Sequence, residues 1–356
     1  RTAVRPKFVV AHAPTLPLPR PGRKRGEWFF IVSEAAVFYV RLVTPRVPWT
    51  PIDVMQILLA WVLAIFIGQL AYGLLVPAHI EGKHEVIDGN QTLVVEFLPE
   101  NKFKSETNSG TFQFRGKPPA QDRTTIILKP DDQPQMTVQF GGTVRDRVGM
   151  VMVNMAFIQC GAIALVFILL RKHSLRWAEA FGGLRDPAQT IALPILLGSG
   201  IILPAMILHL ISHDLITRLG GVPTVQHAVQ MVSAAQNPGE IAVQFLSVIF
   251  MAPIAEELLF RGTLYPALKN AGHPRLAVIV SAILFAAVHA KLELMLPLTL
   301  LGIALVWLYE KTGSILAPIF MHATFNLVNF SMIKFISPET LKPIQETIKR
   351  IIIFWN

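Results

Sequence analysis

Cysteine is almost missing from this chain. Cys160 is the single one, so no disulfide can close within the chain, and the count says nothing more about redox compartment. Charge is scarce as well: 15% of residues are Asp, Glu, Lys or Arg, against about a quarter in soluble globular domains. Neither an HExxH helix nor a cysteine pair is present, which removes the local zinc signatures. No internal repeat is visible. No small-residue cleavage pattern follows the first strongly apolar stretch near Trp28, so a secretory signal peptide is not expected there.

What is abundant is hydrocarbon. Hydrophobic residues make up 52% of the chain, and the mean hydropathy is +0.49, a composition that excludes an ordinary soluble domain. A membrane span needs about 20 mostly apolar residues. Seven stretches are expected to cross: Val54–Val76, Val148–Leu170, Thr190–Ser212, Ile241–Leu268, Pro274–Ala290, Leu294–Tyr309 and Ser314–Ile333. Trp28–Val43 is an eighth candidate, although Glu34, Arg41 and Arg46 suit an interfacial helix better. The fold class is therefore an all-α polytopic membrane protein.

Residues 77–147 interrupt this pattern. Thr92–Phe97, Thr111–Arg115, Thr124–Leu128 and Met136–Phe140 are short runs rich in Val, Ile, Thr and Phe, separated by turn residues. They predict a small extracytoplasmic β-rich insertion of about four strands. The whole chain divides into a basic arm (1–53), a first span (54–76), the insertion (77–147), two further spans with their loop (148–240), a helical core (241–333) and an amphipathic tail (334–356).

The formal net charge of +9 is concentrated at the start, where nine Lys or Arg residues precede Asp53 against Glu27 and Glu34. Beside a first membrane helix such a segment marks the cytoplasmic face and contact with anionic lipid headgroups, and nucleic acid is not an expected partner. The chain is expected in a bacterial inner membrane with a cytoplasmic N-terminus.

Charge inside a spanning helix costs roughly 2.5–3.5 kcal/mol even on the lenient insertion scale. The polar residues within the last four spans therefore need a common reason. Glu256 and Glu257 sit together, and Glu257 and Arg261 share a helix face four residues apart, which predicts a buried ion pair. Glu256 points about 100° away and needs another neighbour. His289 closes the fifth span, while His322 and Asn326 share a face of the seventh. His209, at the end of its span, is assigned no role. Two chemistries fit the set. In one, Glu256 is a general base on water, His289 polarises that water, and His322 and Asn326 stabilise an oxyanion. In the other, Glu256, His289 and His322 hold a zinc ion with an open position. Spacing alone leaves both open, because the residues come from three helices.

Three segments resemble motifs of the CAAX protease and bacteriocin-processing family of membrane proteins, which includes the type II CAAX prenyl endopeptidases, or Ras-converting enzymes. Glu256-Glu257-Leu258-Leu259-Phe260-Arg261 looks like its EExxxR motif. Phe285-Ala286-Ala287-Val288-His289 is similar to its FxxxH motif, and His322-Ala323-Thr324-Phe325-Asn326 to its HxxxN motif. The order matches too. The resemblance covers roughly Ile241–Phe330 and implies an intramembrane endopeptidase whose core opens to the cytoplasm. It implies that Glu256 and His289 activate water, that His322 and Asn326 form the oxyanion hole, and that Glu257 and Arg261, with Phe285, support them. No cofactor is required by the water-activation reading, zinc being the alternative. Implied partners are a protein or peptide substrate, prenylated in one branch of the family. A non-catalytic membrane scaffold or bacteriocin-immunity factor is the rival reading.

Overall fold

The computed structural model describes residues 47–336, apart from 76–79, 81, 90, 99, 116–123, 141–146, 185, 222–226 and 236, together with 340 and 343. The candidate helix Trp28–Val43, most of the basic arm and nearly all of the tail lie outside the described residues.

Among the described residues, six helices are long and apolar enough to cross a membrane: α1 (Pro51–Leu74), α2 (Val148–Lys172), α3 (Ala188–Arg218), α4 (Pro238–Asn270), α6 (Leu292–Thr312) and α7 (Leu316–Phe335). Between α4 and α6 lies α5 (Pro274–Ala287), apolar but only 14 residues long. The expected seven spans thus become six long helices and one helix shorter than the roughly 20 residues a perpendicular crossing requires. The shortening has a local cause. The polypeptide leaves helical geometry after Ala287, and Ala290 takes a positive φ of 53°. These features read as an integral membrane protein.

Sequence punctuation explains the helix limits. Asn237 caps α4 by accepting the Glu240 N–H at 2.8 Å, with Pro238 in the first turn. Gly313, in the left-handed region at φ 63°, ends α6. Inside the helices a second rule operates. Three π-helical turns, Ala188–Ala192, Leu246–Met251 and Leu258–Leu264, are each followed within two residues by Pro194, Pro253 or Pro266. A proline removes one donor and crowds the carbonyl four residues back, so the preceding turn widens. A fourth π turn, Met155–Cys160, lies in α2 without a proline.

Helix α4 is the centre of the bundle. Half of its apolar window is buried within the protein, against 17–44% for the other five long helices. Close approach elsewhere depends on small residues. A Cβ at Gly302 would lie 2.9 Å from Ala282, so α6 meets α5 almost backbone to backbone; one at Gly198 would lie 2.5 Å from the Met321 carbonyl, beside His322.

Among its described residues the insertion holds six strands rather than four: β1 (Gly82–Asp88), β2 (Gln91–Leu98), β3 (Lys102–Ser105), β4 (Ser109–Phe114), β5 (Thr124–Pro130) and β6 (Met136–Phe140). All neighbours are antiparallel, and β1 pairs with β6, which closes a small barrel. Val86, Phe97, Phe103, Phe112, Ile126 and Val138 fill its interior. The two strands missed by sequence are the ones with least apolar content. β3 contributes one inward side chain, Phe103, between two lysines. Closure supplies the pairing that composition does not advertise.

Candidate active site

The seven residues singled out by sequence fall into two layers. Glu257, Arg261 and Phe285 lie in the protein interior, with no exposed surface. Glu256, His289, His322 and Asn326 line one cavity of about 660 Å³ between α2, α3, α4, α6 and α7. The size is that of a site for a small molecule or a short segment of chain.

The buried layer is tightly connected. Arg261 donates from Nη1 to Glu257 Oε1 at 3.0 Å and from Nη2 to the Gly302 carbonyl at 3.2 Å. Its guanidinium carbon sits 4.4 Å from the centre of the Phe285 ring, in cation–π range. Phe285 also meets His289 and His322 edge-on, with ring centres 5.4 and 5.5 Å apart. One aromatic ring thus touches the guanidinium and both imidazoles. The expected pair of Glu257 and Arg261 is present, and it does more than hold helices together. His322 Nδ1 lies 2.8 Å from the same Glu257 oxygen, so a residue of α4 fixes the ring orientation of a residue of α7.

On the cavity side, His322 Nε2 is 3.8 Å from Glu256 Oε2, beyond hydrogen-bond reach but close enough for charge to matter. Glu256 is the partly exposed member of the pair, at 22%. His289 stands in the turn after α5, where its Nδ1 donates to the Phe285 carbonyl at 2.9 Å. That bond commits Nδ1 as the protonated nitrogen and leaves Nε2 as an acceptor. Asn326 donates from Nδ2 to the Val248 carbonyl at 2.9 Å, with a second N–H to spare.

Among the described residues, no three His, Cys, Asp or Glu side chains group closely enough to hold a metal ion. Glu256, His289 and His322, as they stand, do not form the ligand cluster that a zinc site needs.

Sequence reading missed several residues of the same wall. His209 and Glu293 line the cavity, and His209 Nδ1 donates to the Glu293 carbonyl at 3.4 Å. Glu293 falls between the expected spans Pro274–Ala290 and Leu294–Tyr309, although a carboxylate flanked by Leu292 and Leu294 is a usable signal. Gln159 and Ser247, buried polar residues inside apolar spans, line it too. Their sequence signal was weak, because one amide and one hydroxyl in separate helices do not announce that they meet.

A bundle of apolar helices around a cavity bearing carboxylate, imidazole and amide groups defines a helical membrane protein with a buried polar site. Residues 238–328 match the family described as Type II CAAX prenyl endopeptidase Rce1-like. The match lies in the C-terminal region of the chain, and all seven residues above lie within it. Two curated relatives are similar over part of the same chain. The "UPF0177 protein YxdF" of Lactococcus lactis subsp. lactis (strain IL1403) is 32% identical over 85 residues, which are 24% of this chain and 46% of that protein. The "Putative membrane peptidase YdiL" of Bacillus subtilis (strain 168) is 36% identical over 76 residues, 21% of this chain and 31% of that protein. The chain spans less than half the length of either relative. No solved structure matches it.

Proposed function

We propose that this protein is an intramembrane endopeptidase of the Rce1-like type that hydrolyses a peptide bond with water activated by Glu256 and His289. The observation that carries the reading is the gathering of Glu256, His289, His322 and Asn326, from three separate segments, on the wall of one cavity. Four polar groups in an apolar bundle have no cheaper explanation than one hydrated site.

In this mechanism a water sits between Glu256 and Nε2 of His289. Glu256 takes its proton as the oxygen attacks the substrate carbonyl, and later delivers that proton to the departing amine. The developing oxyanion accepts from the spare N–H of Asn326 and from the cavity-side ring nitrogen of His322, whose Nδ1 is held by Glu257. No step runs through a metal. The substrate is a protein or peptide segment within reach of the bilayer, prenylated segments being one class to test.

The test is cleavage of peptide pools, with and without a prenyl group, by the full chain in proteoliposomes. Glu256→Gln, which keeps shape and removes the base, is expected to lower cleavage about 10²–10⁴-fold with the fold retained. Cleavage at the wild-type rate would sink the proposal. Wild-type cleavage is also expected to survive chelators. Stoichiometric zinc that disappears in His289→Ala would replace the base mechanism by a metal-held water.

A further inference from the structure

The helical ladder around Val248 has an unusual gap. In an α-helix the Val248 carbonyl would accept from the N–H of Ala252. Here that N–H goes to the Ser247 carbonyl, one residue earlier, because Leu246–Met251 is a π turn. The next donor along is residue 253, which is proline and has no N–H. The Val248 carbonyl therefore has neither helical donor and is left to accept from Asn326 Nδ2 at 2.9 Å. The orientation of the Asn326 amide depends on α4 staying in the π register at this turn.

A residue outside the Rce1-like region secures that register. Gln159, in the π turn of α2, is buried at 9% exposure and faces Ser247, itself at 5%. Its Nε2 donates to Ser247 Oγ at 3.0 Å and to the Ser247 carbonyl at 3.3 Å, and Ser247 Oγ donates back to Gln159 Oε1 at 3.3 Å. The amide thus adds to the Ala252 N–H on the Ser247 carbonyl and fixes the Ser247 hydroxyl as well. Without it, Ala252 N–H is free to return to the Val248 carbonyl, and that carbonyl is lost to Asn326.

We infer that Gln159 is a positioning residue for Asn326, acting through Ser247 and the π turn of α4. In its kinetic consequences the inference rests on the peptidase reading; in its geometry it does not. Gln159→Met removes the amide but strands Ser247, so the single variant also loses stability. Adding Ser247→Ala removes both polar partners, and thermal stability is expected to return toward wild type. The kcat is expected to stay low, by at least about tenfold, with KM little changed, since an oxyanion donor has moved. In an Asn326→Ala background, Gln159→Met is expected to cost nothing further in kcat.

Recovery of kcat together with stability in the double variant would overturn the inference, as would multiplying effects of Gln159→Met and Asn326→Ala. The second readout is the side-chain amide signal of Asn326 in asparagine-¹⁵N-labelled full-length protein, assigned by its absence in Asn326→Ala. It is expected to move in Gln159→Met/Ser247→Ala, and an unmoved signal overturns the inference. If the wild type cleaves no peptide, the peptidase reading fails, and this signal still decides the positioning role.

Discussion

His322 Nδ1 lies 2.8 Å from Glu257 Oε1, the same oxygen that receives Arg261 Nη1 at 3.0 Å. One buried carboxylate oxygen therefore serves an ion pair within α4 and an imidazole on α7. The adjacent Glu256 is set apart by orientation alone: its carboxylate reaches the cavity, while that of Glu257 does not. Two neighbouring glutamates in one helix thus carry different tasks. The first lines the cavity, and the second is buried against Arg261 and His322.

The pair of Glu257 and Arg261 should behave as a unit. Removing one partner leaves an uncompensated charge in the interior, so Glu257→Leu or Arg261→Met is expected to cost about 3–5 kcal/mol, read as a loss of thermal stability in detergent. The double variant is expected to recover most of that loss, because an apolar pair of similar volume suits this site as well. Its activity should not recover, since His322 has lost the group that orients it. Additive stability losses would show that the two side chains do not interact.

Phe285 should matter through packing rather than reaction. Phe285→Ala empties a fully buried position and is expected to cost about 3–5 kcal/mol. Phe285→Leu keeps much of the volume but loses the face presented to Arg261, worth about 0.5–2 kcal/mol. The measurement is thermal unfolding of the two variants side by side. Equal losses would mean that the cation–π contact at 4.4 Å contributes nothing measurable.

Pro253→Ala offers a sign test. Replacing a helix proline usually strengthens the helix, here by up to about 3 kcal/mol. The new N–H at position 253 would compete for the Val248 carbonyl, so kcat is expected to fall while stability rises. A variant both more stable and equally active would show that the proline gap has no part in holding Asn326.

The pattern of success in reading the sequence follows from the range of each interaction. Helices α1 to α4, α6 and α7 were visible because apolar runs of membrane length leave no other fold for the backbone. The ion pair of Glu257 and Arg261 was visible because its partners are four residues apart. The strands β1 and β3 were not, since their own residues are largely polar, and the pairing of β1 with the distant β6 that closes the barrel leaves no local pattern. The shortness of α5 was hidden because hydropathy continues through Val288 while the backbone does not remain helical.

The amino-acid sequence by itself determined that charged and polar groups would lie inside an apolar bundle, and it identified Glu256, His289, His322 and Asn326 as the set to explain. Periodicity and transfer cost are local properties of a chain, so a linear reading suffices for them. Only the tertiary structure decided that Glu257 holds His322 and that Gln159 from α2 meets Ser247 of α4. Those outcomes depend on how helices pack and on where a π turn shifts the hydrogen-bond register. Such geometry involves residues as far as 88 positions apart, as with Gln159 and Ser247, and no local pattern records it.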